Sequence, residues 1–191
     1  MPSRRFVIAG LAAGAALGAP QLARAEYYGR FSGKFVGSFE RGGVAVVEKP
    51  LTFTDPRGLN WTAPAGIEVN GASIPRPLWS IVGSPFKGDY LRASVIHDHY
   101  CVTMTRGWRE THKMFWHGCR ADGLSRVYAN LLYAGVMRFG PRWIIRRGAS
   151  GASARPKRVN PEFDASEFRD LQKWIQNNDP SLSEIDTRLD R

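Results

Sequence analysis

The hydrophobic pattern of this chain changes period once, near Pro77, and that change limits its fold more than any other feature. Before it, short apolar runs are broken by Gly and Pro. Phe35-Val36-Gly37-Ser38-Phe39 alternates, Val44-Ala45-Val46-Val47 follows Gly42-Gly43, and Leu51-Thr52-Phe53 follows Pro50. Leu59-Asn60-Trp61-Thr62 and Ile67-Glu68-Val69 flank Pro64-Ala65-Gly66. β-Branched and aromatic runs at this spacing predict an antiparallel meander from Tyr27 to about Gly71. Downstream the period becomes helical. Tyr90 to about Met104 carries apolar or small residues at 91, 93, 95, 96 and 100, with Asp89 placed to cap it. Trp108 to Ala121 reads as a second helix after a turn at Thr105-Arg106-Gly107. Ser125 to Phe139 reads as a third, stopped by Gly140-Pro141. Strands followed by a helical hairpin and a third helix predict an α+β fold.

The 191 residues, 43% of them hydrophobic, supply one core and not two. The single α+β domain is expected over residues 26–145. Ahead of it, Ser3-Arg4-Arg5 precedes a weakly apolar run and the small-residue site Ala23-Arg24-Ala25. That order predicts a twin-arginine-type export signal over residues 1–25, cleaved after Ala25. The run is shorter and richer in Gly than a membrane span of about 20 apolar residues. Its removal would take three arginines and no acid, lowering the net charge from +10 to +7, and would place the mature protein in the periplasm or outside the cell. Residues 146–160 read as a basic flexible linker. Residues 161–191 read as a short helix, Phe163 to Asn177, and a frayed tail.

Charge is unevenly spread. Between Gly123 and Pro161 there are eight basic residues and no acid, and from Glu162 onward eight acids face four bases. The simpler expectation is an acidic tail folded back on the basic stretch. The sharper one is a patch for an anionic envelope component, a phospholipid headgroup or a cell-wall polymer. An exported chain rarely meets nucleic acid, which is disfavoured as a partner.

All four histidines lie between residues 97 and 117. At about 100° per residue, His97 and Cys101 share one helix face while His99 points away. If the first two helices fold back on each other near residue 106, His97 lies opposite Trp116 and Cys101 opposite His112. His97, Cys101 and His112 then converge, with Asp98 at the edge, free to hold a cation or bond to backbone. A partly exposed His97 in such a cluster has the chemistry of a general base. His99 and His117 are expected to pack or to face solvent. Two cysteines are too few for a disulfide scaffold or a four-thiolate zinc site. The hairpin register separates Cys101 from Cys119 by about two turns, so both are expected to be free, buried thiols.

Four ordered motifs carry a resemblance. PAGIEVNGASIPRPLW (Pro64–Trp79), GDYLRASVIHDHY (Gly88–Tyr100), RETHKMFWHGCRADGLS (Arg109–Ser125) and YAGVMRFGPRW (Tyr133–Trp143) resemble the domain of unknown function family 1353, found in bacteria, phages and prophages. The resemblance covers about residues 45–145. Gly71, Ala72, Ser73, Ile74 and Pro75 match its first motif, His97, Asp98 and Tyr100 its second, and Arg109 and Phe115 its third. Two positions depart from it, because Asn70 and His112 stand where the family usually or often has Asp. The layout is also similar to that of secreted calcium-dependent phospholipases, which implies His97 as base, Asp98 as metal carboxylate and His112 as the orienting group.

Two functional classes follow. One is an exported hydrolase of ester, phosphoester or cell-wall amide bonds, with His97, Asp98 and His112 at its centre and Ser73 as a candidate nucleophile. His97, Asp98, His112 and Cys101 are the candidate ligands for a divalent cation, with His112 shifting preference towards zinc-like metals. The other is a non-enzymatic envelope-binding or phage-derived structural module, in which Asp98 caps backbone and Trp79 and Trp116 fill the core. No histidine precedes His97, which argues against the phosphohydrolases with an HD pair. No G-x-S-x-G, H-E-x-x-H or P-loop occurs. A solvent-reachable cleft lined by His97, Asp98 and His112 would favour the hydrolase; closed packing would favour the module.

Overall fold

Strands form where one face of an alternating run finds a core. In the computed structural model, which describes residues 26–40, 44–71, 73–75, 88–144 and 157–190, β1 (Arg30–Phe31), β4 (Leu51–Thr54) and β5 (Asn60–Ala63) make one antiparallel sheet. β2 (Gly37–Glu40), β3 (Val44–Val47) and β6 (Glu68–Val69) make a second. Register places Phe53 beside Trp61, Leu51 beside Ala63 and Ala45 beside Val69. All six are buried, so each pair contributes cross-strand packing on the covered face. The β4–β5 turn is closed by Asp55, whose carboxylate accepts from the amides of Arg57 and Leu59 and from Trp61 Nε1.

Three helices follow: α1 (Leu91–Thr103), α2 (Trp108–Ala121) and α3 (Arg126–Phe139). α1 is central. Val95, Ile96 and Tyr100 join the strand residues in one apolar cluster, while Ala93 joins a second cluster built from α2, α3 and the C-terminal helices. Tyr100 ties the helix to β5, its hydroxyl accepting from Thr62 N at 3.2 Å. The α1–α2 approach is set by small residues. A Cβ at Gly118 would lie 2.9 Å from Ala93 Cβ, so glycine there lets the two backbones close. α1 thus packs on both sides, and any polar residue on it needs an internal partner.

The structure revises several details of the expected organisation. Asp89 does not cap α1; its N-cap is Tyr90, with no side-chain hydrogen bond. Ser125 does cap α3, accepting from Tyr128 N. Part of the expected linker is ordered, since β8 (Lys157–Val159) pairs with β7 (Arg142–Ile144); residues 145–156 lie outside the described residues, as do the export segment 1–25 and Trp79. The expected frayed tail is instead helix α5 (Leu182–Leu189), after α4 (Ala165–Asn178). α5 opens on a capping box between Ser181 and Glu184. Phe168, Leu171, Ile175 and Ile185 bury themselves in the α2–α3 cluster, so the C-terminal segment belongs to the same domain. Asn130 locks it on, its Nδ2 donating to Pro180 O while its Oδ1 accepts from Trp116 Nε1.

Candidate functional site

The spacing 97, 101 puts His97 and Cys101 one turn apart on α1, and α2 presents His112 to the same point. His97 Nε2 lies 2.8 Å from His112 Nδ1, and Cys101 Sγ lies 3.6 Å from His97 Nε2. His112 Nε2 is 3.1 Å from Pro141 O. A carbonyl can only accept, so Nε2 carries the proton and Nδ1 presents its lone pair to His97. His97 therefore donates from Nε2. Pro141 reaches that position because α3 ends in extended backbone at Gly140, where a Cβ would lie 2.3 Å from Val136 O.

The cluster is closed. His97, His112 and Cys101 are each 0% exposed. Phe115 stacks on the His97 ring, and Trp108 and Trp143 stand edge-on to His112. This corrects the expectation of a partly exposed His97. Burial, with a smaller contribution from the Arg158 charge, pulls the His97 pKa down to about 3. Burial pulls His112 well below the ordinary histidine value, helped by His97 and Arg142 and opposed by its bond to Pro141. Burial pushes the Cys101 thiol up. Both imidazoles are neutral and the thiol holds its proton at pH 7.

Of the two courses expected of Asp98, holding a cation at the edge or bonding to backbone, it takes the second. It is not free at an edge; it is buried and accepts from Asn70 N at 2.9 Å, Gly71 N at 3.2 Å and Ser73 Oγ at 2.6 Å. The NGAS loop thus wraps the helix carboxylate. Gly71 has a φ of 66°, a left-handed conformation that suits glycine. The NGASIP and HD motifs, separate in sequence, are one structural unit. Ser73 donates its proton to Asp98 and not to a histidine, an arrangement that orders a loop and does not activate a nucleophile.

Of the remaining candidates, His99 packs its ring against Tyr100 and His117 against Trp116, outside the cluster. Both cysteines are free and buried. Arg109 pairs with Asp190 at 2.6 Å. The acidic tail does fold back on basic residues, through Arg126–Asp179, Arg138–Glu167 and Lys113–Asp186. Pro141 O and the amides of Asn70 and Gly71 complete the site with backbone atoms, which carry no residue-type signal in a sequence. Among the described residues, the convergent group with metal-ligand donors is His97, Cys101 and His112, with its donor atoms all within 4.8 Å of one another.

The stretch that carries these motifs is also the stretch that matches a known family. Residues 45–136 match the family described as Protein of unknown function (DUF1353). The DUF1353 segment runs from β3 to α3 and holds all three members of the cluster. The chain is 41% identical over 132 residues to the Uncharacterized protein y4jT of Sinorhizobium fredii, covering 67% of this chain and 39% of that protein. It is 44% identical over 98 residues to the Uncharacterized protein y4iH of the same organism, covering 51% of this chain and 41% of that protein. The chain therefore spans about two fifths of the length of these curated relatives. No solved structure matches. Among the described residues, no helix is long and apolar enough to cross a membrane.

Proposed function

We propose that this protein is an exported, non-enzymatic envelope module and not a hydrolase. The observation that carries this reading is the closure of the His97–His112 pair, both rings 0% exposed. A general base must reach the proton it removes, directly or through one water. Here the Nδ1 lone pair of His112 accepts from His97, and the Asp98 carboxylate is committed to three loop donors. Neither group is offered to a substrate. Burial also disfavours the imidazolium that a base must become.

The partner this reading favours is an anionic envelope component, drawn by the excess of basic residues between Gly123 and Pro161. Arg126 and Arg138 pair with acids of the C-terminal helices, and Arg142 Nη2 donates to the carbonyls of Met137 and Arg138 at the end of α3. Lys157 of the basic run is exposed, while Arg146, Arg147 and Arg155 lie outside the described residues.

Two measurements test the proposal. In a panel of ester, phosphoester and cell-wall amide substrates, wild type and His97→Ala should be equally inactive. Turnover that disappears in a folded His97→Ala variant would restore the hydrolase. Co-sedimentation with anionic vesicles should exceed that with zwitterionic vesicles and should weaken with salt. Export is tested separately: Arg4→Lys with Arg5→Lys should accumulate unprocessed precursor, and normal processing would remove the twin-arginine assignment.

A further inference from the structure

The three converging donors are matched to one class of ion. We propose that His97 Nε2, His112 Nδ1 and Cys101 Sγ form a three-coordinate centre for a soft monovalent cation of the copper(I) class, in preference to zinc-like or hard divalent cations. Metal–nitrogen and metal–sulfur bonds of about 2.0 and 2.3 Å place such donors roughly 3.3–3.7 Å apart. Cys101 Sγ and His97 Nε2 already lie at 3.6 Å. The 2.8 Å between the two imidazole nitrogens is a hydrogen bond that the ion replaces, with the rings parting by about half an ångström. His112 is held ready for ligation because Pro141 O takes its other nitrogen, the outer support that ligating histidines usually have.

Ligand type and charge choose the ion. Thiolate with imidazole suits copper(I) and zinc, and excludes calcium and magnesium, which want oxygen. On binding, Cys101 loses its proton to solvent, and His97 stays neutral by carrying its proton on Nδ1. One thiolate and two neutral imidazoles then cancel a single positive charge. A divalent ion would leave a net positive charge in a fully buried site, with the Arg158 guanidinium bonded to the neighbouring Cys101 carbonyl at 3.3 Å. The nearest carboxylate cannot supply the missing charge, because Asp98 is bonded to Asn70, Gly71 and Ser73. A three-coordinate monovalent ion also needs no fourth ligand from water. The Cys101 thiolate makes the centre soft, and His112 adds an imidazole nitrogen in place of a hard carboxylate.

The experiment uses the full chain, reduced and anaerobic. Copper(I) is presented as its bicinchoninate complex, and the protein should withdraw the metal stoichiometrically. Cys119→Ser should behave as wild type. Cys101→Ser and His112→Asp should each lose more than about 100-fold in affinity, beyond what supporting residues alone cost. Circular dichroism shows whether each variant is folded. If Cys101→Ser does not fold, X-ray absorption of copper-loaded wild type decides, and should show a three-coordinate ion with sulfur and imidazole scattering. The proposal is overturned by failure of folded wild type to take copper from the chelator, by unchanged affinity in Cys101→Ser, by an absorption spectrum without sulfur, or by zinc(II) displacing copper(I) at equal free concentration.

Discussion

The seam between α1 and α2 and the seam between the α2–α3 pair and the C-terminal helices hold polar groups in opposite ways. In the first, His97, His112, Asp98 and Ser73 are at most 3% exposed, and each has a particular partner at hydrogen-bond distance. In the second, the outer pairs stand in solvent; Arg109 and Asp190 are 49% and 55% exposed. The chemistry of the partners is similar, but the energetic consequences differ. A buried group that loses its partner bears its whole desolvation cost, whereas an exposed one turns to water. The first seam therefore specifies the structure, and the outer contacts of the second only decorate it.

Asp98 offers the largest break in that contrast. Asp98→Ala removes the acceptor of two loop amides and the Ser73 hydroxyl, and should cost about 3–5 kcal/mol. The urea midpoint would fall at unchanged m; a loss below about 1 kcal/mol would mean that the loop is held by something else.

Acid should separate the two seams next. The pKa values of His97 and His117 are lowered to about 3 and about 4, and His112 is lowered well below its ordinary value, in each case chiefly by burial. Unfolded histidine titrates near 6.5, so the unfolded chain takes up protons first as pH falls. Stability from these residues is complete above about pH 6.5. It declines from there towards pH 3, by at most about 1.4 kcal/mol per pH unit for each histidine. Urea midpoints between pH 7 and pH 4 check this, and a flat profile would show that protons reach the rings in the folded state.

Within the loop, Gly71→Val forces a β-branched residue into a left-handed conformation and should cost about 2–3 kcal/mol. Ser73→Ala loses one hydrogen bond and should cost about 1–2 kcal/mol. The reverse order would make the hydroxyl, and not the turn, the organising element. The smallest effect is expected at Asp190→Ala, within about 0.5 kcal/mol and fading as salt is added. A loss near that of Asp98→Ala would erase the distinction between the seams.

Legibility in the sequence followed the strength of the local signal. α2 runs from Trp108 to Ala121 as its periodicity implies, and α3 starts after Ser125 and stops at Gly140 because both ends carry their own cap chemistry. α1 takes its N-cap at Tyr90 and not at Asp89, since a residue able to cap is not obliged to do so. The C-terminal tail looked frayed because its charges dominate its composition. Its few apolar residues, Ile185 above all, are buried by a surface the other helices provide.

By itself the sequence determined the order of strands and helices, the sharing of one helix face by His97 and Cys101, and the approach of His112 from the next helix. These follow from backbone periodicity and a short turn, which are local. Only the tertiary structure decided that the cluster is closed, that Asp98 serves the NGAS loop, and that Pro141 orients His112. Burial is the sum of everything packed around α1, from β5 through α3. The amides and carbonyl that complete the site belong to backbone 28 and 29 residues away from their partners, where no side-chain pattern records them.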